Sequence, residues 1–277
     1  MYNFLAVILG LFLLGNTCQK PVVEENMPLQ VSSPNEYIQV DFLIGSFGRP
    51  GYTVSHKGSA VIDTSFLGFY FKNTDNLDHF LSPVSSSIRK VDERWKPALG
   101  KDTNVRNQYN ELKVNLEEGV DRQAQMTVVF RVYDDGIGFR YEIPAQPGLP
   151  DSLLIDNEVT NFNLTGDHAC WWIPGDWSNF EHTQTYSKLS EIDASVKRNQ
   201  TNPAETYIPD SLAVNTPVTM RTTEGLYLSF HEANLTNYPD MTLHIDPENF
   251  NMYCSLVAWP DGIKMGAKLP MKTPWRT

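Results

Sequence analysis

Gln125 to Pro144 reads QMTVVFRVYDDGIGFRYEIP. Met126, Val128, Phe130 and Val132 alternate with other residues up to Asp134-Asp135-Gly136. Ile137, Phe139, Tyr141 and Ile143 alternate after it. Successive strand side chains point to opposite faces, so each run presents one apolar face. An Asp-Gly step between two such runs is the strongest short-range signal for a β-hairpin. The stretch therefore predicts two antiparallel strands with a common buried face.

The same period recurs on either side. In YIQVDFLI, Ile38, Val40, Phe42 and Ile44 face one way. Gly51–Ile62, GYTVSHKGSAVI, carries a Lys57-Gly58 turn between two alternating runs and reads as a second hairpin. Leu112, Val114 and Leu116 share a face in ELKVNLEE, and EGLYLSFHEA and MTLHID read as further strands. No helical period persists over a dozen residues; Leu189–Val196 has room for two turns at most. Many short strands with regularly spaced turns predict an all-β antiparallel sandwich or barrel. The chain has 277 residues, 41% of them hydrophobic and 12% aromatic, enough for a sizeable core. Its formal net charge of -11 disfavours nucleic acid, whose phosphates require a basic face.

The first residues read as a targeting segment. Phe4–Leu14, FLAVILGLFLL, is short for a membrane span and of the right length for a signal h-region. LLGNTCQK follows it, and a Cys directly after an h-region is where a bacterial lipoprotein is cleaved and acylated. Residues 1–18 are therefore expected to be a signal peptide with Cys18 as lipidation site, the alternative being an ordinary signal cleaved nearby. Residues 19–35, polar and rich in proline, read as a tether, and the folded domain is expected over residues 36–277. Cys170 and Cys254 remain; each lies in an apolar strand-like run, which favours buried free thiols over a disulfide.

Trp171–Thr185, WWIPGDWSNFEHTQT, is the most distinctive candidate site. Strand alternation sends Trp171 and Trp172 to opposite faces, with one in the core. Asp176 after Pro174-Gly175 reads as a turn carboxylate bonding nearby backbone N–H groups. Trp177, in loop context, is the better candidate for a sugar or interdomain contact. His231-Glu232 in FHEA would also be split to opposite faces and reads as a structural strand end. Tyr109-Asn110-Glu111 reads as structural too.

Several segments together resemble the N-terminal domain of glycoside hydrolase family 97. They are WKPALGKDTNVRNQYNEL, the YDDGIGFRY hairpin, GDHACWWIPGDW, LSEI, NTPVTM, GLYLSFHEANLTNYP and TPWRT, in that order over roughly Ser32 to Thr277. The resemblance implies an exported bacterial α-glucosidase or α-galactosidase, periplasmic or an outer-membrane lipoprotein of a Gram-negative cell. It implies a galactose-mutarotase-like β-supersandwich packed on a catalytic (β/α)8 barrel, expected to follow TPWRT. Glycosidases flank the scissile bond with two carboxyl groups, about 5–5.5 Å apart for retention and about 6.5–9.5 Å for inversion. The family's pair lies in the barrel, so no catalytic residue is expected in this chain. The resemblance also implies a calcium ion at the domain junction, with one ligand from this domain five residues after the Asp of the W-I-P-x-D segment. That position is Glu181. Calcium takes six to eight oxygens, so the barrel would supply the others. Two other readings stay open: a stand-alone carbohydrate-binding module, and an aldose epimerase using His168 or His231 with a glutamate.

Overall fold

The computed structural model describes residues 27–119, 122–198 and 206–277. The two predicted strands form as Gln125–Val132 and Ile137–Ile143, paired antiparallel with Val132 opposite Ile137. All eight alternating apolar residues except half-buried Ile137 are buried. The connection is wider than an Asp-Gly two-residue turn. Tyr133 N donates to Gly136 O at 2.8 Å, and Gly136 is not in the left-handed region. The turn is anchored instead from outside, because Asp134 Oδ1 accepts from Asn35 N at 2.8 Å. At Lys57-Gly58 the expected tight hairpin is present. Both residues have positive φ, 51° and 82°, as a type I′ turn requires.

Two large sheets carry the core. One has eight strands in the order Gln30–Ser32, Ile38–Gly45, Arg49–His56, Ser59–Phe66, Asn161–Leu164, Asn251–Leu256, Met241–Asp246, Ala213–Asn215. The other runs Glu232–Ala233, Trp275–Arg276, Ile137–Ile143, Gln125–Val132, Val105–Glu118, Leu81–Trp95, and Met271–Lys272 also pairs with Ile137–Ile143. Their inner faces meet through rings. Phe42 lies 6.4 Å from Phe130, Tyr52 5.1 Å from Phe139, and Phe139 6.3 Å from Phe162, centroid to centroid. Such tilted and edge contacts between large apolar groups dominate the stability of a sandwich core. This is the expected antiparallel β-sandwich. Among the described residues none is α-helical; Leu189–Glu191 and Ala194–Lys197 are single 3₁₀ turns, within the two turns anticipated there.

Of the expected tether, residues 19–35, the part before residue 27 lies outside the described residues. Gln30–Ser32 pair with Asp41, Val40 and Gln39 and add an edge strand, because Val31 finds a buried place beside the core. Cys18 and the expected signal peptide lie outside the described residues. Two smaller sheets complete the fold: Met265–Lys268, Ser152–Glu158, Phe69–Phe71; and Thr185–Lys188, Ala169–Trp172, Val218–Arg221, Tyr227–Phe230.

Cys170 sits in the four-stranded sheet and Cys254 in the eight-stranded one, both buried and free, as their apolar settings suggested. Burial pushes the Cys170 thiol up to about 12 and holds that of Cys254 well above its ordinary value. The thiolate is the reactive form. Neither thiol should therefore react with Ellman's reagent in the native protein, and both should react after unfolding in urea. Rapid native labelling of either, located by peptide mapping, would contradict this arrangement.

Candidate functional site

The four-stranded sheet ends in the loop that the sequence singled out. Trp172 pairs with Thr185 as the last rung, and residues 173–184 connect them. Alternation sorts the tryptophans as expected. Trp172 is buried, donating from Nε1 to Ser187 Oγ at 2.9 Å, while Trp171 is only partly covered. Beyond the rung the chain runs beside Ala213–Asn215. Gly175 N donates to Ala213 O at 2.8 Å, and a Cβ on Gly175 would stand 2.9 Å from that of Ala213. Only glycine lets the two backbones approach so closely.

Asp176 is the turn carboxylate that was expected, with more partners than a simple turn provides. Its Oδ1 accepts from Ser178 N and Asn179 N, both at 3.0 Å, and from Thr206 Oγ1 at 2.7 Å. Its Oδ2 accepts from Thr206 N at 2.9 Å and lies 3.3 Å from His182 Nε2. Burial raises its proton affinity, but these donors outweigh burial and hold the carboxyl below its ordinary value. Asn215, fully buried, grips the same turn: Oδ1 accepts from Asp176 N at 3.1 Å and Nδ2 donates to Asp176 O at 3.2 Å. Thr206 and Asn215 gave no local signal in the sequence, since both partners lie 30 or more residues from Asp176.

The rest of the loop projects from this anchor. Trp177 and Phe180 are exposed, at 48% and 44%. Glu181 is also exposed; its N–H donates to Asn179 Oδ1 at 2.9 Å, and among the described residues no hydrogen bond or ion pair occupies its carboxylate. Glu181 is thus a free carboxylate on a firmly pinned loop. Among the described residues no group of three or more His, Cys, Asp or Glu side chains could hold a metal ion.

The other histidine and glutamate candidates are structural. His168 is buried near Thr165, and His231 is exposed, its backbone paired with Thr277. Among the described residues neither ring bonds a glutamate. Glu232 instead turns inward to a closed ionic cluster. Arg276 clasps Glu158 with Nε to Oε1 at 2.8 Å and Nη2 to Oε2 at 2.7 Å, and its Nη1 reaches Glu232 Oε2 at 2.5 Å. Tyr238 and Thr160 hydroxyls donate to Glu158 at 2.9 and 2.8 Å, and Met241 N donates to Glu232 at 3.1 Å. Arg276 has no solvent contact. Against burial, Arg276 holds the Glu158 carboxyl below its usual range, whereas burial prevails at Glu232 and raises it. Two carboxylates held by one buried guanidinium form a structural bracket between strands.

This architecture has known counterparts. The glycosyl-hydrolase 97 N-terminal family model matches residues 31–277. A glycoside hydrolase family 97 enzyme from Pseudoalteromonas sp. strain K8, solved in complex with acarbose, superposes with a TM-score of 0.78 at 27% identity, over 89% of this chain and 34% of that one. A β-arabinopyranosidase shares the fold, with a TM-score of 0.71 at 23% identity, over 89% of this chain and 39% of that one. A Streptomyces bingchenggensis (strain BCW-1) protein described as a "probable retaining alpha-galactosidase" is 30% identical over 144 residues, 52% of this chain and 21% of that protein. The chain thus spans a fifth to two-fifths of the length of these relatives. The match begins in the edge strand at Val31 and runs through the sandwich, the pinned loop and the Arg276 bracket, so the chain belongs to glycoside hydrolase family 97 as its N-terminal domain.

Proposed function

We propose that this domain is the scaffold of an α-glycoside hydrolase, packing on a catalytic (β/α)8 barrel and lending Glu181 to a calcium ion shared with it. One observation carries the reading: Glu181 is a carboxylate with no partner among the described residues, on a loop that Asp176 and Asn215 fix in place. A side chain held ready without an internal partner suits a ligand from outside. The residues fit calcium as one hard oxygen donor, and a single donor requires further oxygens from another domain. Bound there, the ion would supply positive charge beside the sugar. What this chain does is position the carboxylate. Trp177 and Phe180 flank it and offer the apolar area by which the barrel or a sugar would cover the loop. The carboxylates that cleave the α-glucoside or α-galactoside bond belong to the barrel in this reading.

Calcium titration by calorimetry on the domain joined to its barrel tests it. Glu181→Ala should weaken calcium binding about tenfold or more, roughly 1.4 kcal/mol. Unchanged affinity would remove Glu181 from the site. We also infer export, with Cys18 acylated; intact-mass measurement of the mature N-terminus checks this, and an unmodified Cys18 would refute lipidation.

A further inference from the structure

The outer face of the four-stranded sheet is not explained by the calcium reading. Its inner face is core: Cys170, Trp172, Val218 and Met220 are buried. Its outer face carries Tyr186, Trp171 and Tyr227 as a row of rings. Tyr186 and Trp171 are opposite each other in register, with centroids 5.0 Å apart. Trp171 then leans across the strand Val218–Arg221 to within 6.2 Å of Tyr227, the two planes only 22° apart. Tyr186 and Tyr227 are 62% and 60% exposed. The row reaches from the first to the last of the four strands, its three rings spaced 5.0 and 6.2 Å apart. Polar groups border it. Thr219 and Ser229 hydroxyls sit next to Trp171, 3.0 Å from each other. The Arg221 guanidinium lies over the Tyr227 ring and makes no ion pair among the described residues.

We propose that this row is a binding platform for a neutral α-linked oligosaccharide. A pyranose presents an apolar C–H face and a rim of hydroxyls. The near-parallel Trp171 and Tyr227 rings match the face, with Tyr186 tilted 47° beside them, and the Thr219, Ser229 and Arg221 groups match the rim. The length of the row suits several sugar units rather than one. A surface built to seat a protein domain would be apolar at its centre, whereas here hydroxyls interrupt the rings. The platform does not include Glu181 and does not depend on calcium.

The test is calorimetric titration of the full chain with maltoheptaose and with stachyose, following tryptophan fluorescence in parallel. Binding of at least one oligosaccharide is expected, with a fluorescence change. Trp171→Ala and Tyr227→Ala should each weaken it about tenfold. Tyr227 is exposed, so its variant should fold normally, which circular dichroism verifies. Failure to bind either sugar at millimolar concentration would overturn the platform, as would binding that both aromatic variants leave intact. Protection of this face from hydrogen exchange when the barrel is present, without sugar, would show instead that the barrel covers it, and would also overturn the proposal. A negative result here leaves the Glu181 reading standing, because calcium affinity is measured separately.

Discussion

Arg276→Ala should lower the free energy of unfolding by about 3–5 kcal/mol, the cost of stranding buried charge when one partner of an ion pair is removed. Glu158 and Glu232 would both lose Arg276, the cation that they share among the described residues. Urea unfolding monitored by tryptophan fluorescence measures the loss. The second variant is informative because buried ion pairs are weak sources of net stability. Arg276→Met combined with Glu158→Gln and Glu232→Gln should recover part of the deficit, since no uncompensated charge remains. A single-variant loss below about 1 kcal/mol would show that the bracket is not the desolvated cluster described above. The acid response of the cluster is divided. Glu158, whose carboxyl is held low in the folded state, contributes stability above the ordinary carboxylate range that disappears as pH falls through its folded value. Glu232 is raised, so its contribution has the opposite sign: present at low pH and lost as pH rises through its folded value.

Asp176→Ala should cost about 2–4 kcal/mol, because it leaves the N–H groups of Ser178, Asn179 and Thr206 and the Thr206 hydroxyl without their acceptor. The same variant should free the loop locally, so that amide exchange across residues 177–182 accelerates while the sandwich strands stay protected. Asp176→Asn tests the electrostatic part. It keeps the shape but places an NH₂ group among donors, and should loosen the loop nearly as much. The wild-type carboxyl is depressed in the folded state, so loop protection should be full above the ordinary Asp value of about 3.9 and fall as pH drops below it. In Asp176→Asn that acid-dependent step should vanish. An unaltered exchange pattern in both variants would mean that Asn215 alone fixes the turn.

The hairpins were legible because each has one buried face, and burial is what a period of two reports. Leu81–Trp95 was not legible as a strand. Its sequence, LSPVSSSIRKVDERW, has no sustained apolar alternation, since most of it is exposed at the edge of its sheet. Leu29 and Val31 are too short an alternation to stand out in a polar run broken by prolines, so the strand Gln30–Ser32 was hidden inside the expected tether. In the candidate site, the division of Trp171 from Trp172 and the turn role of Asp176 followed from local chemistry. The Thr206 and Asn215 grips did not, and neither did the clasp of Arg276 on Glu158, 118 residues away. Pairings at that separation leave no local pattern. Glu181 was recognisable only through family resemblance, because an exposed glutamate without a partner looks like any surface acid.

The place of Trp275–Arg276 also bears on when the domain can form. The strand Ile137–Ile143 has one neighbour from the middle of the chain and waits for residues 271–276 to supply the other. Until those residues are synthesised, Glu158 has no cation and a central sheet edge stays open, a surface prone to pairing with other chains. Folding of this domain therefore completes only after nearly all of its chain has emerged, and a nascent chain stalled before Arg276 should be sensitive to protease and dependent on chaperones where the finished one is not.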